Sequence, residues 1–161
     1  MAFRVKEPAY KEPRIIFTKQ GYEDQLKERK RLLEERPDAV INLTKSREMG
    51  DLSENGYYKA ARQRLSAIDA NLRRVERLIR CAKIVETFNT GTVEIGRTVT
   101  LSGNGKSVTY TIVGGYESDP MKKTISHMSP IGKAILGKRI GETVQIHIPA
   151  GVVSYTIEKI E

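Results

Sequence analysis

Two carboxylates separated by two residues, Asp51 and Glu54, are the strongest candidates for chemistry in this sequence. Side chains three residues apart can reach one point in space. Mg²⁺ is a hard cation that accepts carboxylate oxygens and usually keeps several of its waters. Two carboxylates alone make a weak site, so the pair becomes useful if another macromolecule supplies further ligands. The alternative is that both residues cap or solvate a turn, where acidic side chains are ordinary.

The remaining reactive residue types do not assemble into a recognisable active site. His127 and His147 fall on strand-like segments without a partner at metal-ligand spacing, so we expect structural or exposed histidines. Cys81 lies beside a heptad seam and reads as a packed residue rather than a nucleophile. The sequence has no nucleophile elbow, phosphate loop or zinc-ligand spacing. A self-contained enzyme is therefore hard to build from these residues.

The elements that position the carboxylate pair are predicted to be two long helices. Thr18 is a suitable N-cap, and the chain from there to Arg47 is rich in good helix formers. Pro37 should kink this first helix or start a second segment. An apolar stripe runs along it at three- to four-residue spacing, interrupted by two arginines; its members are Tyr22, Leu26, Leu33, Val40 and Leu43, and the interruptions are Arg29 and Arg36.

The second helix has a cleaner pattern, with more than three heptads at a spacing of 3.5 residues, typical of a coiled coil. Its seam residues are Tyr58, Ala61, Leu65, Ile68, Leu72, Val75, Ile79 and Ala82. Two long helices joined by a short turn must pack antiparallel. A helix over 18–47 would be ~45 Å long. The pattern predicts a narrow hairpin with residues 50–56 at its tip.

After Val85 the sequence changes to alternating apolar and polar residues. Strands are predicted at Arg97–Leu101, Ser107–Val113, Thr143–Ile148 and Val152–Ile160, with Asn104-Gly105 as a hairpin turn and a short helix over Pro130–Leu136. We divide the chain into a flexible arm (1–13), a coiled-coil hairpin (14–85), a linker (86–91) and a small α+β domain (92–161). The predicted fold class is α+β.

Composition narrows the partners and the compartment. The net charge is +8, and most of the excess lies in the first half of the chain, which favours nucleic acid or an acidic protein surface as partner. A solvated, arginine-rich helix surface explains the charge equally well. There is no apolar run of membrane-spanning length and no apolar core for a signal peptide. We expect a cytoplasmic monomer with no membrane partner, in keeping with its single cysteine.

Two long motifs resemble the Gre family of transcript-cleavage factors, GreA and GreB. Residues 50–62, GDLSENGYYKAAR, are similar to the family's tip motif, and residues 129–138, SPIGKAILGK, to a signature of its C-terminal domain. Shorter similar stretches lie at residues 17–22 and 35–37, and the resemblance covers roughly residues 14–161. It implies an antiparallel coiled-coil hairpin followed by a small FKBP-like α+β domain, in agreement with the periodicity.

The resemblance also implies a function. Family members bind RNA polymerase, pass the hairpin through its secondary channel and stimulate cleavage of the RNA 3′ end in backtracked complexes. Asp51 and Glu54 match the two acidic tip residues, which would help hold a second Mg²⁺ at the polymerase active site. The chain would then have no cofactor of its own and would not be an enzyme in isolation, because the polymerase owns the catalytic centre.

Further positions follow from the resemblance. Arg47 and Arg62 match a basic patch that would hold the extruded RNA segment through phosphate contacts, and Lys59 could extend it. Ser129 and Pro130 match the region that docks on the polymerase, although a proline that starts the short helix explains Pro130 equally well. Lys45 and Arg64 could extend the patch too, but solvated helix charges explain them better.

Two departures and three alternatives stay open. Gly56 and Met128 stand where family members often or sometimes carry an acidic residue, and the second position is implicated in docking. A secondary-channel inhibitor would use the same architecture without cleavage. A prolyl isomerase would need an aromatic-lined pocket, and aromatic residues are few after Val85. A plain nucleic-acid-binding coiled coil would bind with steep salt dependence and without polymerase.

Overall fold

The structure is a computed structural model that describes residues 14–49, 56–87, 90–103, 105–148 and 151–161, with the backbone alone for 147–148. A helical hairpin precedes a mainly β unit, which confirms the α+β class. None of the helices in these ranges has the length and apolar character needed to cross a bilayer. In chain order the elements are β1 (Ile15–Phe17), α1 (Lys19–Glu48), α2 (Gly56–Cys81), β2 (Ala82–Ile84), β3 (Thr98–Gly103), β4 (Lys106–Val113), a 3-10 turn (Pro120–Lys122), β5 (Thr124–Ser126), α3 (Pro130–Ile135), β6 (Thr143–Ile148) and β7 (Gly151–Ile160).

Helix α1 is one continuous helix of 30 residues, ~45 Å long at 1.5 Å per residue. It begins after Thr18, whose hydroxyl accepts a hydrogen bond from the N–H of Gly21 at 3.0 Å, so the predicted N-cap is confirmed. Pro37 lies inside the helix with an exposed side chain. The expectation that a second segment starts at Pro37 was therefore wrong. A proline removes one backbone hydrogen bond, and packing along α2 maintains the helix around it.

The seam of α2 is where the heptad pattern placed it. Ala61, Ile68 and Val75 are buried, and Leu65 and Leu72 pack partly buried against them. These positions alternate by three and four residues, so one face of α2 contacts α1 along its length.

The stripe predicted on α1 was wrong over its middle. Leu26, Leu33 and Val40 are 40%, 44% and 37% exposed, whereas Leu32 and Ala39 are 1% exposed. Each buried position directly precedes an exposed one, so the true seam lies about 100° around the helix from the predicted stripe. The seam was missed because it contains short and polar side chains as well as Leu32.

The arginines that interrupt the predicted stripe form ion pairs across the hairpin. Arg29 Nε lies 3.8 Å from a carboxylate oxygen of Glu76, and Arg36 Nε lies 2.7 Å from one of Asp69. The hydrogen bond to Asp69 raises the pKa of the Arg36 guanidinium. The two arginines are one heptad apart, as are their two partners, so the same ion pair repeats along one flank of the rod.

The base of the hairpin is closed by two short parallel strands that the sequence did not predict. In register, Ile15 pairs with Ala82 and Phe17 with Ile84. Phe17 is fully buried, and its carbonyl accepts a hydrogen bond from the N–H of Val85 at 3.0 Å. The β1–β2 pair joins the start of α1 to the end of α2, so both helices leave the base together.

The second unit is a five-stranded sheet with the order β5-β4-β3-β7-β6. Its β3–β4, β3–β7 and β6–β7 pairs are antiparallel, and β4–β5 is parallel. The four predicted strands are confirmed to within one or two residues, whereas β5 was missed. The predicted hairpin turn joins β3 to β4, but Asn104 lies outside the described residues.

The core of the sheet unit lies between one sheet face and α3. Ser129 caps α3 by accepting a hydrogen bond from the N–H of Gly132 at 3.0 Å, and Gly137 follows the helix at φ 77°, a conformation that suits glycine. Leu136 caps the helix rather than belonging to it. The buried core residues are Val93, Val99, Leu101, Ile112, Ile135, Val144, Ile146 and Ile157.

Candidate functional site

The carboxylate pair itself, Asp51 and Glu54, lies in segment 50–55, outside the described residues. The predicted magnesium site therefore stays a prediction. Inside the described ranges, no three His, Cys, Asp or Glu side chains cluster as a metal site would require. What the structure describes is the support on either side, where α1 ends at Glu48 and α2 begins at Gly56.

The end of α1 and the start of α2 are tied by a cation and an aromatic ring. The guanidinium carbon of Arg47 lies 6.0 Å from the centre of the Tyr58 ring. That distance is at the outer limit of a useful cation–π contact. Tyr58 is half-buried, as its seam position predicts, whereas Arg47 is exposed. Arg47 thus has a structural partner in addition to its proposed RNA contact.

Small residues occupy part of the seam in the distal half of the hairpin. Ala39 and Ser46 on α1 and Ala61 on α2 are all buried. The Ser46 hydroxyl is fully buried and donates to the backbone carbonyl of Leu43 at 2.7 Å, so burial leaves its polar group bonded. Small side chains let two helices approach closely. Buried small residues are therefore present on both helices of this half.

The predicted basic residues are exposed near the distal end of the hairpin. Lys59 and Arg62 are three residues apart on α2, and so lie on one face of the helix. Arg64, which we assigned to a helix charge, lies 3.0 Å from a Glu35 carboxylate oxygen across the hairpin. The structure thus places Arg64 in the hairpin's ion-pair network and leaves Lys59 and Arg62 on an exposed surface.

The predicted docking residues lie at the start of α3. Ser129 uses its hydroxyl for the helix cap, while the Pro130 side chain is exposed. Three apolar side chains around α3 are also exposed: Met128 at 61%, Leu136 at 39% and Ile140 at 58%. Sequence reasoning treated Met128 only as a missing acidic residue. Its exposure adds an apolar group to the same part of the surface.

The structure bears on the role of the histidines and on the prolyl isomerase alternative. The ring Nδ1 of His127 lies 3.2 Å from the carbonyl oxygen of Val113, as a structural histidine should. A cleft of about 860 Å³ between α1 and the sheet unit is lined mainly by polar side chains, with Tyr116 as its aromatic member. Such a lining does not resemble the aromatic pocket that a prolyl isomerase requires. The His147 side chain lies outside the description.

Comparison with known proteins decides the family. Two family models match, "Transcription elongation factor, N-terminal" over residues 15–84 and "Transcription elongation factor, GreA/GreB, C-term" over residues 89–161. The chain is 46% identical over 138 residues to the transcription elongation factor GreA of Mycoplasma capricolum, covering 82% of this chain and 88% of that protein. The chain belongs to the GreA/GreB family. It is also 39% identical over 145 residues to the GreA of Novosphingobium aromaticivorans, covering 88% and 92%.

Membership of the GreA/GreB family makes the chain a Gre-type transcription elongation factor, which confirms the resemblance carried by residues 50–62 and 129–138. A solved structure is also similar, the GreA factor homolog 1 protein of Thermus thermophilus, at 26% identity over 92% of this chain and 99% of that one. The TM-score is 0.44, so the assignment rests on the sequence matches.

Proposed function

We propose that the chain binds RNA polymerase, inserts the hairpin through the secondary channel and stimulates cleavage of the RNA 3′ end in backtracked complexes. The observation that carries this proposal is the position of the helix ends. Asp51 is two residues from Met49 and Glu54 is two residues from Gly56. The carboxylate pair therefore belongs to the short segment that connects the two helices in the sequence. A ~45 Å rod would thus present them far from its base.

The carboxylate pair would act on a metal ion that the polymerase also holds. Two carboxylates from this chain leave most positions of an octahedral Mg²⁺ ion to other ligands, so the donor set fits a shared ion better than a resident one. In a two-metal site the ions activate the attacking water and stabilise the leaving oxygen. Asp51 and Glu54 would hold and orient the second ion and that water. The chain would then activate a reaction whose catalytic centre belongs to its partner.

The exposed basic residues would hold the RNA that leaves the active site. Arg47, Lys59 and Arg62 lie on the helix turns next to the carboxylate segment. Guanidinium and ammonium groups bind phosphates without reading sequence, which suits a factor that acts on any backtracked transcript. At the other end of the molecule, Pro130 and the exposed Met128 would contact the polymerase surface.

Transcript cleavage tests the carboxylate pair directly. Stalled, backtracked polymerase is incubated with wild type or with an Asp51→Asn, Glu54→Gln variant, and RNA shortening is followed over time. The variant preserves the size of both side chains and removes both charges. We expect it to bind polymerase with unchanged affinity and to lose the stimulation. Equal cleavage by both proteins would remove the proposed role, and a wild type that blocks synthesis without shortening RNA would indicate an inhibitor.

A further inference from the structure

One carboxylate from the sheet unit reaches the base of the hairpin. Glu117 lies in the loop that follows β4, and its Oε1 accepts a hydrogen bond from the backbone N–H of Thr18 at 2.8 Å. Its Oε2 accepts one from the Thr18 hydroxyl at 2.5 Å. Thr18 is the N-cap of α1, and its hydroxyl oxygen in turn accepts from the N–H of Gly21. A negative charge at a helix N-terminus is favoured by the helix dipole.

The fit around this carboxylate leaves no room for side chains on its neighbours. Gly21 and Gly114 are both buried. A Cβ added to Gly21 would overlap the Glu117 carboxyl group, and one added to Gly114 would overlap both that group and the carbonyl oxygen of Ile16. Glycine at these two positions therefore permits the close approach of α1 and the sheet unit. We call the contacts of Glu117 with Thr18 and Gly21 the Glu117 clamp.

A second attachment lies after β2. The Thr87 hydroxyl donates to the carbonyl oxygen of Ile95 at 3.2 Å, which ties the chain leaving the hairpin to the sheet unit. The Glu117 clamp ties the chain entering it. These two attachments lie on the two chain segments at the base of the hairpin, so each limits rotation about the other. Loss of the clamp should therefore let the hairpin swing without detaching it.

We infer that Glu117 is a positioning residue that sets the direction of the hairpin relative to the sheet unit, and hence where its tip arrives. The inference rests on the proposed function. At the end of a ~45 Å rod, a swing of about 10° moves the tip by about 8 Å. Misplacement of a reacting group by about 1 Å can lower a rate about a hundredfold. The direction of the rod therefore matters as much as the groups it carries.

Two variants break the clamp from opposite sides. Glu117→Ala removes the acceptor. Gly21→Ala leaves Glu117 intact but places a Cβ where its carboxyl group lies, and alanine is the better helix former, so α1 itself should not weaken. Glu158→Ala is the matched control, because that carboxylate accepts a hydrogen bond from the Ser107 hydroxyl at 3.1 Å within the sheet, away from the hairpin. Glu117→Gln keeps one oxygen for the Thr18 N–H and should be intermediate.

The direction of the rod is measured on the free, full-length protein. Spin labels are attached to Lys30→Cys on α1 and to Thr109→Cys on β4, in a protein whose own cysteine is replaced by Cys81→Ser. Pulsed electron paramagnetic resonance then measures the distance between the two labels. We expect one narrow distance distribution for the reference protein and the Glu158→Ala control. Both clamp variants should show a shifted or broadened distribution while far-UV circular dichroism stays unchanged. Narrow, unshifted distributions in both clamp variants would overturn the inference.

Cleavage at saturating factor supplies the functional readout. The clamp variants should retain polymerase affinity and lose about tenfold or more in maximal cleavage rate, with Glu117→Gln between them and wild type. Clamp variants that swing freely yet cleave at the wild-type rate would overturn the positioning role. The distance measurement needs no polymerase, so a wild type that fails to stimulate cleavage would refute the proposed function without altering the result on the clamp.

Discussion

Shortening Leu32 to alanine should destabilise the hairpin severely, whereas the same change at the adjacent Leu33 should not. Leu32 is 1% exposed and packs in the small cluster with Ala39, Ile68 and Val75. Removing a fully buried leucine side chain costs about 3 to 5 kcal/mol, because the lost transfer free energy and the new cavity add. Leu33 is 44% exposed. Its truncation loses about half the transfer free energy, near 1 kcal/mol, and opens no closed cavity.

The stability of the hairpin in the two variants is measured by amide hydrogen exchange in the full-length chain. Peptides from α1 and α2 report hairpin opening apart from the sheet unit, which avoids treating the whole chain as two-state. A loss of about 3 kcal/mol should raise the opening equilibrium constant by about a hundredfold for Leu32→Ala, and amide exchange that follows this equilibrium should accelerate by the same factor. Leu33→Ala should change it by less than about tenfold. Equal effects, or a larger one at Leu33, would refute the seam described for α1 and restore the stripe predicted from the sequence.

Two further predictions concern charges on the rod. A double-mutant cycle of Arg36→Ala and Asp69→Ala is followed by thermal unfolding at low and high salt. The coupling free energy should be small and favourable at low salt and should vanish at high salt, because both side chains are partly exposed. A coupling free energy that does not depend on salt would contradict this. Arg62→Glu should lower the cleavage rate without changing polymerase affinity. Arg73 is also exposed but lies ~16 Å further from the tip, so Arg73→Glu should leave the cleavage rate unchanged. Equal losses of cleavage rate in both variants would argue against a local RNA contact.

The sequence predicted the parts of the fold whose signals are local. The seam of α2 was clear because its members are large and regularly spaced, and four strands were clear from alternation. The seam of α1 was not clear, since Ala39 and Ser46 carry little hydrophobic signal while the more exposed Leu33 carries much. Whether a leucine is exposed depends on where the neighbouring helix packs. The residue pattern within a single helix does not contain that information.

The parts that were missed depend on residues far apart in the chain. β1 and β2 have three residues each and pair only because the hairpin brings both of its ends together. Glu117 is 99 residues from Thr18, and no periodicity connects them. The roles of the tip and of the basic residues came from the family motif, since two carboxylates and scattered arginines are ordinary on any helical surface.

The hairpin can be lengthened without changing the residues at its tip. Residues 29–35 and 70–76 face each other in register, because Arg29 pairs with Glu76 and Arg36 with Asp69. Repeating both segments adds one heptad to each helix, preserves the seam and moves the tip outward by ~10 Å. The longer protein should gain helical content, which shows that the added heptads fold. If a rod of fixed length must deliver the carboxylates, its maximal cleavage rate should fall at least about a hundredfold. Cleavage at the wild-type rate by the longer rod would contradict the account.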